Sequence, residues 1–138
     1  MSDYAALKAI FDQRGVALLD GAIGTQLQEM GVPMDNTSWA AAGLKDFSAT
    51  IQLMHERYIK AGADIITTNT YSSARHNLEP LGDGVLTGEL NRRAVLLARQ
   101  ARDHAAKGRK IWIAGAISSF GITTGGEGHR ALDRKSVV

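Results

Sequence analysis

Residues 18–31 read LLDGAIGTQLQEMG, and this stretch changes from strand-like to helix-like within a few positions. The apolar run at residues 16–19 follows a glycine and predicts a short buried strand. Residues 25–30 predict a helix that Gly31 and Pro33 end. Between strand and helix lie the carboxylate of Asp20 and the turn GAIGT at residues 21–25. A strand that passes through a glycine turn into a helix is the repeating unit of parallel α/β proteins.

The same succession of helix and strand continues along the chain. Residues 3–13 predict an opening helix, and residues 32–45 and 70–83 predict loops. A helix that Gly62 ends precedes a strand at residues 63–69, and a helix at residues 84–107, ended by Gly108, precedes a strand at residues 110–116. Apolar residues at helical spacing define these two helices: Phe47, Ile51, Met54 and Tyr58 in the first, and Leu86, Leu90, Ala94, Leu97, Ala101 and Ala105 in the second.

Strands that alternate with helices predict parallel pairing through right-handed crossovers. Periodicity alone leaves two architectures open, an open flavodoxin-like or Rossmann-like sheet and the start of a β/α barrel. Each predicted strand ends in small or polar residues, at positions 20–22, 68–70 and 115–118. In both architectures ligands bind beyond the carboxyl ends of the strands. We therefore expect a binding site at this edge of the sheet.

Composition narrows the class of protein. With 138 residues, 44% of them hydrophobic and 22% charged, the chain is long enough for one globular domain. A net charge of +2 gives no reason to expect a nucleic-acid or membrane partner. No apolar run approaches the roughly 18 residues that cross a bilayer, and charged residues interrupt any signal-peptide core. These features predict a soluble, cytoplasmic protein.

The turn after the first predicted strand suits an amino acid. Backbone N–H groups around Gly21, Ala22, Gly24 and Thr25 could bind a carboxylate, and Asp20 could bind an ammonium group. A carboxylate at this position disfavours a phosphate, and the turn lacks the spacing of dinucleotide and P-loop motifs. The alternative is a plain tight turn in which Thr25 caps the helix.

Other polar residues give weaker signals. Asn69 and Thr70 end the second predicted strand, where they could contact a ligand or close a turn. The four histidines, His55, His76, His104 and His129, show no metal-ligand spacing, and we expect His55 and His104 at the surface or rim. The basic run at residues 91–110 is typical of a solvated helix face, since it lacks the aromatic residues of a nucleic-acid site.

Four segments, taken in order and spacing, resemble the homocysteine S-methyltransferase family. They are LLDGAIGTQLQ (18–28), DNTSW (35–39), AGADIITTNTY (61–71) and IAGAIS (113–118), and the resemblance spans residues 16–121. The family includes betaine-dependent and S-methylmethionine-dependent enzymes and the homocysteine module of cobalamin-dependent methionine synthase. The DNTSW segment is most similar to the S-methylmethionine branch.

The resemblance implies a (β/α)8 barrel that binds homocysteine at the carboxyl ends of its strands. It implies that the segment with Asp20, Gly21, Gly24 and Thr25 holds the amino acid end of homocysteine, with Asn69 and Thr70 at the same pocket. It also implies a zinc ion, held by three cysteines, that activates the homocysteine thiol for attack on a methyl donor. The donor could be betaine, S-methylmethionine, S-adenosylmethionine or a methyl-cobalamin module. The product is methionine.

The chain departs from this pattern because it contains no cysteine. The family's zinc ligands and a substrate-binding glutamate lie on later strands, and a β/α barrel typically needs about 250 residues. We therefore expect residues 1–132 to be the N-terminal part of the barrel domain, unable to bind zinc or to transfer methyl groups alone. Two alternatives stay open, a small metal-free α/β module that binds an anion or an amino acid, and a fragment without a stable fold.

The last six residues, DRKSVV at 133–138, are the translation of GATCGGAAGAGCGTCGTG, a string similar to a common sequencing adapter. We expect these residues to be a non-native tail and the gene to continue beyond residue 132. An ordinary polar C-terminus is the alternative. Resequencing the locus distinguishes the two, since a native stop codon after Val138 would contradict the adapter hypothesis.

Overall fold

The computed structural model describes residues 3–36 and 38–118. The predicted tail at 133–138 and His129 lie outside these residues. Six α-helices and two strands are assigned within them: α1 (Asp3–Arg14), α2 (Ile23–Glu29), α3 (Gly43–Asp46), α4 (Ser48–Ala61), β1 (Ile65–Thr67), α5 (Arg75–Leu78), α6 (Thr87–Ala105) and β2 (Trp112–Ala114). Short 3-10 turns at Ala40–Ala42, Glu79–Leu81 and Gly84–Leu86 join some of the helices.

The strands are parallel, as predicted. β1 pairs with β2 in the register Ile65↔Trp112, Ile66↔Ile113 and Thr67↔Ala114. Leu19 forms a parallel bridge with Ile65 on the other side of β1. The spatial order of the three extended segments therefore follows their order in sequence. A flavodoxin-like sheet has its first strand between the second and third, so this order excludes that architecture. It fits a β/α barrel and also a Rossmann-like sheet, whose first three strands lie in sequence order.

The first predicted strand is only partly confirmed. Residues 18–20 form backbone hydrogen bonds to residues 64 and 65. Within the described residues, however, this first segment pairs with β1 only through the isolated bridge at Leu19. Its side chains are not buried, since Val16, Leu18 and Leu19 are 49%, 46% and 61% exposed. The prediction of a buried strand was wrong because the described residues cover this segment on one side only, through β1.

Helices α4 and α6 pack against each other and supply half of the buried hydrophobic residues in the described part of the chain. The stripes predicted for both helices are buried, with Phe47, Tyr58 and Leu86 partly so. Gly62 ends α4 in a left-handed conformation with φ 114°, which glycine adopts without steric cost. Two predicted loops were wrong in part, because residues 32–45 contain a 3-10 turn and α3, and residues 70–83 contain α5 and another turn.

Two charged residues tie the amino ends of the strands to the helices. The buried Asp64 carboxylate accepts hydrogen bonds from the Leu18 amide at 3.0 Å and from Arg14 at 3.1 Å. The Arg109 guanidinium donates to the carbonyls of Ile59 and Ala63 at the end of α4. These contacts lie at the end of the sheet opposite the predicted site. Within the described residues, no helix is both long and apolar enough to cross a membrane.

Candidate functional site

The carboxyl ends of the three extended segments open onto one cleft of about 540 Å³. This confirms that the polar strand ends predicted from the sequence meet at one edge of the sheet. Most residues predicted for the site line the cleft: Asp20, Gly21, Ala22, Gly24, Thr25 and Asn69. Thr70 is not among the lining residues. The cleft also contains residues that the sequence analysis did not single out: Gln28, Met34, Trp39, Thr67, Tyr71 and Ser72.

Both oxygens of the Asp20 carboxylate accept hydrogen bonds from Thr67. The Thr67 amide donates to Oδ2 at 2.7 Å, and its hydroxyl donates to Oδ1 at 2.8 Å. Burial raises the pKa of Asp20 above its ordinary value, and the two bonds from Thr67 partly oppose that rise. An ionised carboxylate offers about four acceptor positions. Asp20 therefore retains acceptor capacity for a ligand donor in the cleft.

Gly21 allows the chain to pass close to Tyr58. A Cβ atom at position 21 would lie 3.0 Å from the Tyr58 hydroxyl oxygen and 3.1 Å from its Cε1. The same hydroxyl donates to the carbonyl of Ala22 at 3.2 Å. A side chain at position 21 would therefore push against the ring that supports the turn.

Helix α2 begins two residues earlier than the sequence predicted. Ala22 is the N-cap residue, with no side-chain hydrogen bond, and Thr25 is the third residue of the helix. The alternative in which Thr25 caps the helix was therefore wrong. The helix starts early because Ala22 keeps an extended backbone, with φ −67° and ψ 105°, and its carbonyl accepts from the Gln26 amide at 3.2 Å.

The two residues predicted at the end of β1 have protein partners. The Asn69 side chain is buried, and its Nδ2 donates to the Ala40 carbonyl at 3.0 Å. The Thr70 hydroxyl lies 2.8 Å from the Thr68 hydroxyl and donates to the Ala116 carbonyl at 2.7 Å. These bonds connect the ends of β1 and β2 beyond the last ladder pair and join β1 to the segment before α3.

An aromatic pair stands at the mouth of the cleft. The rings of Trp39 and Tyr71 have centroids 6.2 Å apart and are tilted by 34°, within the usual range for interacting aromatic side chains. They are 49% and 50% exposed. Trp39 has φ 48°, a conformation that is costly for a bulky residue. Both rings lie in segments that carry the family resemblance, DNTSW and AGADIITTNTY, which was the signal that could have identified them.

Of the two histidines predicted at the surface or rim, His104 is exposed and His55 is buried. His104 is at the surface as expected and contacts Glu56 at 2.8 Å. His55 is fully buried in α4, and neither of its ring nitrogens has a hydrogen-bond partner among the described residues. Burial lowers the pKa of His55 to about 4. The surface prediction failed because position 55 follows Met54 on the helix face that packs inward.

The residues present do not fit the zinc site that the family resemblance implies. The sequence contains no cysteine, and residues 3–36 and 38–118 contain no group of three or more His, Asp or Glu side chains arranged for a metal ion. A thiolate zinc site would require ligands from outside this chain's own residues.

A second cavity, of about 760 Å³, lies between α6 and the outer side of β2. Its lining includes Arg99, Arg102 and Lys110, and it contains none of the residues predicted for the site. The cleft at the strand ends is therefore the candidate site.

Comparison with known proteins agrees with the residue patterns. The sequence profile of the family described as Homocysteine S-methyltransferase matches residues 17–137. The selenocysteine methyltransferase of Astragalus bisulcatus is 32% identical over 123 residues, which cover 76% of this chain and 36% of that protein. The homocysteine S-methyltransferase of Escherichia coli K12 is 29% identical over 126 residues, covering 88% of this chain and 41% of that protein.

A solved structure shows the same fold. The metallated form of the homocysteine methyltransferase MmuM from Escherichia coli superposes with a TM-score of 0.71 at 30% identity, over 79% of this chain and 40% of that one. The chain thus spans about two fifths of the length of the relatives it matches. Its fold is the N-terminal portion of a β/α barrel, as predicted, and the chain belongs to the homocysteine S-methyltransferase family, a family of methyltransferases.

Proposed function

We propose that this chain forms the homocysteine-binding wall of a homocysteine S-methyltransferase, which transfers a methyl group to the homocysteine sulfur and produces methionine. The observation that carries the proposal is the position of Asp20 in a cleft at the carboxyl ends of parallel strands. Ligands of β/α barrels bind at this end. An ammonium group beside Asp20 would favour the charged carboxylate and so oppose the rise in its pKa that burial causes.

In this proposal the substrate's amino group binds Asp20, and its carboxylate contacts the turn at residues 21–25. Asn69 borders the same pocket, and Thr70 supports it by joining the ends of β1 and β2 through its bond to the Ala116 carbonyl. Zinc chemistry would be supplied by residues other than those of this chain, because the ligands it needs are absent from this sequence. We therefore expect the purified chain to bind homocysteine without transferring methyl groups, and robust zinc-dependent turnover by it would contradict this expectation.

Calorimetric titration of the 138-residue chain with L-homocysteine tests the binding step. Asp20→Asn should weaken binding by about tenfold or more, since hydrogen bonds to charged groups contribute roughly 1.5–3 kcal/mol. Asp46→Asn is the matched control, because Asp46 is exposed in α3 and outside the cleft. Equal affinity of the two variants would reject the role of Asp20.

The same titration distinguishes the methyltransferase proposal from the alternative function, a metal-free module that binds amino acids or anions. That alternative predicts similar affinities for L-homocysteine, L-methionine and inorganic phosphate. The methyltransferase proposal predicts that phosphate binds weakly or not at all, because Asp20 would repel it. Tight phosphate binding would favour the module.

The aromatic pair supports a positively charged methyl donor. Betaine, S-methylmethionine and S-adenosylmethionine carry their transferable methyl on a cationic nitrogen or sulfur, and cations are attracted to the faces of Trp and Tyr rings. Trp39 and Tyr71 offer two such rings, half exposed, at the mouth of the cleft. Betaine should therefore bind more tightly than the tert-butylacetate anion, in which carbon replaces the quaternary nitrogen. Equal binding of the two would remove the support for a cationic donor.

A further inference from the structure

Two buried side chains after β1 hold the segment that carries Trp39. Asn69 Nδ2 donates to the carbonyl of Ala40 at 3.0 Å, and Ser72 Oγ donates to the carbonyl of Ser38 at 2.6 Å. Asn69 and Ser72 are 5% and 6% exposed. The two bonds therefore bind the carbonyls immediately before and after Trp39, and water has little access to compete for them.

The donors of these bonds flank the second ring of the pair. Tyr71 lies between Asn69 and Ser72 in sequence, just as Trp39 lies between Ser38 and Ala40. The two bonds thus cross-link the backbones on both sides of both rings. A single bond would leave the two segments free to rotate about it, whereas two bonds fix the relative position of the backbones that carry the rings.

The conformation of Trp39 needs such support. With φ 48° and ψ −124°, its backbone lies outside the regions that a bulky residue adopts easily. The Trp39 amide donates to the Asp35 carbonyl at 2.9 Å, and the Asp35 carboxylate accepts from the Ser38 amide at 2.8 Å. These local bonds close a tight loop, and the bonds from Asn69 and Ser72 attach that loop to the end of β1. Strained backbone persists where surrounding contacts determine it.

We propose that Asn69 and Ser72 are positioning residues that fix the Trp39 ring against the Tyr71 ring. The functional consequence rests on the proposed function: by positioning the rings, the two residues shape the aromatic surface that binds a cationic methyl donor. Asn69 then acts through Trp39, because its amide nitrogen is engaged by Ala40. The Ser38 carbonyl also accepts from the Ala41 amide at 2.9 Å, and the Ala40 carbonyl also accepts from the Gly43 amide. The loss of either side-chain bond therefore keeps the local turn but removes one of its two attachments to the end of β1.

The test uses Trp39 as its own reporter. The chain has two tryptophans, so Trp112→Phe leaves Trp39 as the remaining one. In that background, Asn69→Ala and Ser72→Ala should each increase acrylamide quenching of Trp39, lower its fluorescence anisotropy and reduce the near-ultraviolet circular dichroism of the ring pair. Ser72→Thr keeps the hydroxyl and should restore the signals.

Ser73→Ala is the matched control. Ser73 is a buried neighbour of the same type, but its hydroxyl contacts Thr70 and Asn91. It should leave the Trp39 signals near those of the background protein, and far-ultraviolet circular dichroism shows which variants are folded. Unchanged Trp39 signals in folded Asn69→Ala and Ser72→Ala, or an equal change in Ser73→Ala, would overturn the proposal.

Ligand titration then distinguishes the inference from the function on which it rests. Betaine affinity should fall by about two- to fivefold in Asn69→Ala and Ser72→Ala, as expected for a cation–π contact at an exposed site. If the Trp39 signals change but the unsubstituted chain binds neither ligand, the positioning role is supported and the proposed function is rejected.

Discussion

Thr67, which lies 47 positions later in the chain, donates two hydrogen bonds to the Asp20 carboxylate, one from its backbone amide and one from its hydroxyl. The hydrogen bond from the Thr67 backbone N–H remains possible with any residue except proline at position 67. The hydroxyl bond depends on the side chain. Hydrogen bonds to the charged form of a carboxyl lower its pKa, so Thr67 adjusts the charge of the residue proposed to bind the substrate's ammonium group.

Thr67→Val should raise the pKa of Asp20 further above its ordinary value. Valine has nearly the same shape as threonine but removes the hydroxyl donor at 2.8 Å, while burial of the carboxyl stays the same. Titration of the Asp20 carboxyl carbon by NMR measures the change. Thr50→Val, on α4, is the control and should leave the Asp20 titration unchanged. An unshifted pKa in Thr67→Val would show that the hydroxyl has no electrostatic role.

At the scale of elements, the sequence predicted the long helices, whose apolar pattern repeats several times, and missed the helices of a single turn. The stripes of α4 and α6 extend over several turns, so their positions were confirmed almost to the residue. The four-residue helices α3 and α5 are too short to show a period. They form because tertiary packing buries residues such as Leu44 and Leu78, and that packing is not visible in local sequence.

The same limit applies to the site. Asp20 and the glycine turn were predicted because the chemistry lies within a few consecutive residues. Thr67 and Ser72 were missed because their roles depend on partners more than 30 positions away. The positive φ of Trp39 also had no local signal, since glycine is the usual residue in that region.

Gly43→Ala tests how tightly α3 packs. A Cβ at Gly43 would lie 2.8 Å from Cγ1 of Val32, a β-branched side chain that is 2% exposed. Overpacking of this kind costs roughly 1–3 kcal/mol of the free energy of unfolding. Chemical denaturation measures the loss, and Val32→Ala in the same chain should recover part of it.

Gly88→Ala is the control for this substitution. Its Cβ would lie 3.8 Å from the Arg92 guanidinium, an ordinary contact, within helix α6. Alanine favours a helix over glycine by about 1 kcal/mol, so this variant should be stabilised. Destabilisation of Gly88→Ala by the same amount as Gly43→Ala would argue against the steric explanation.

At the scale of the whole molecule, the fold buries His55 of α4, whose ring nitrogens have no hydrogen-bond partner among the described residues. His55 has a pKa of about 4 in the fold, against about 6.5 in an unfolded chain. Below pH 6.5 the unfolded chain takes up a proton that the folded chain resists until about pH 4. The contribution of His55 to stability is therefore fully present above pH 6.5 and is lost as the pH decreases toward 4.

His55→Leu should remove that part of the pH dependence. The shift of the pKa corresponds to a loss of about 3 kcal/mol between the two limits, and leucine has no ring nitrogens to leave unpaired. Urea unfolding at several pH values measures the slope. The variant should still lose stability in stronger acid, because Asp64 and Glu56 have lowered pKa values in the fold. An unchanged slope between pH 4 and pH 6.5 in the variant would contradict the assignment to His55.

The hydroxyls of Thr68 and Thr70 at the strand ends have a fixed direction of donation. Thr70 gives its proton to the Ala116 carbonyl, so the proton between the two threonines must come from Thr68. The Ala116 amide lies 3.4 Å from Thr68 Oγ1 and points its hydrogen toward that oxygen. With its proton committed, the Thr68 hydroxyl can only accept further hydrogen bonds, as the Asp20 carboxylate does, and both residues line the cleft. The cleft thus has two neighbouring acceptors at the ends of the strands, which favours a ligand group that donates hydrogen bonds at that point.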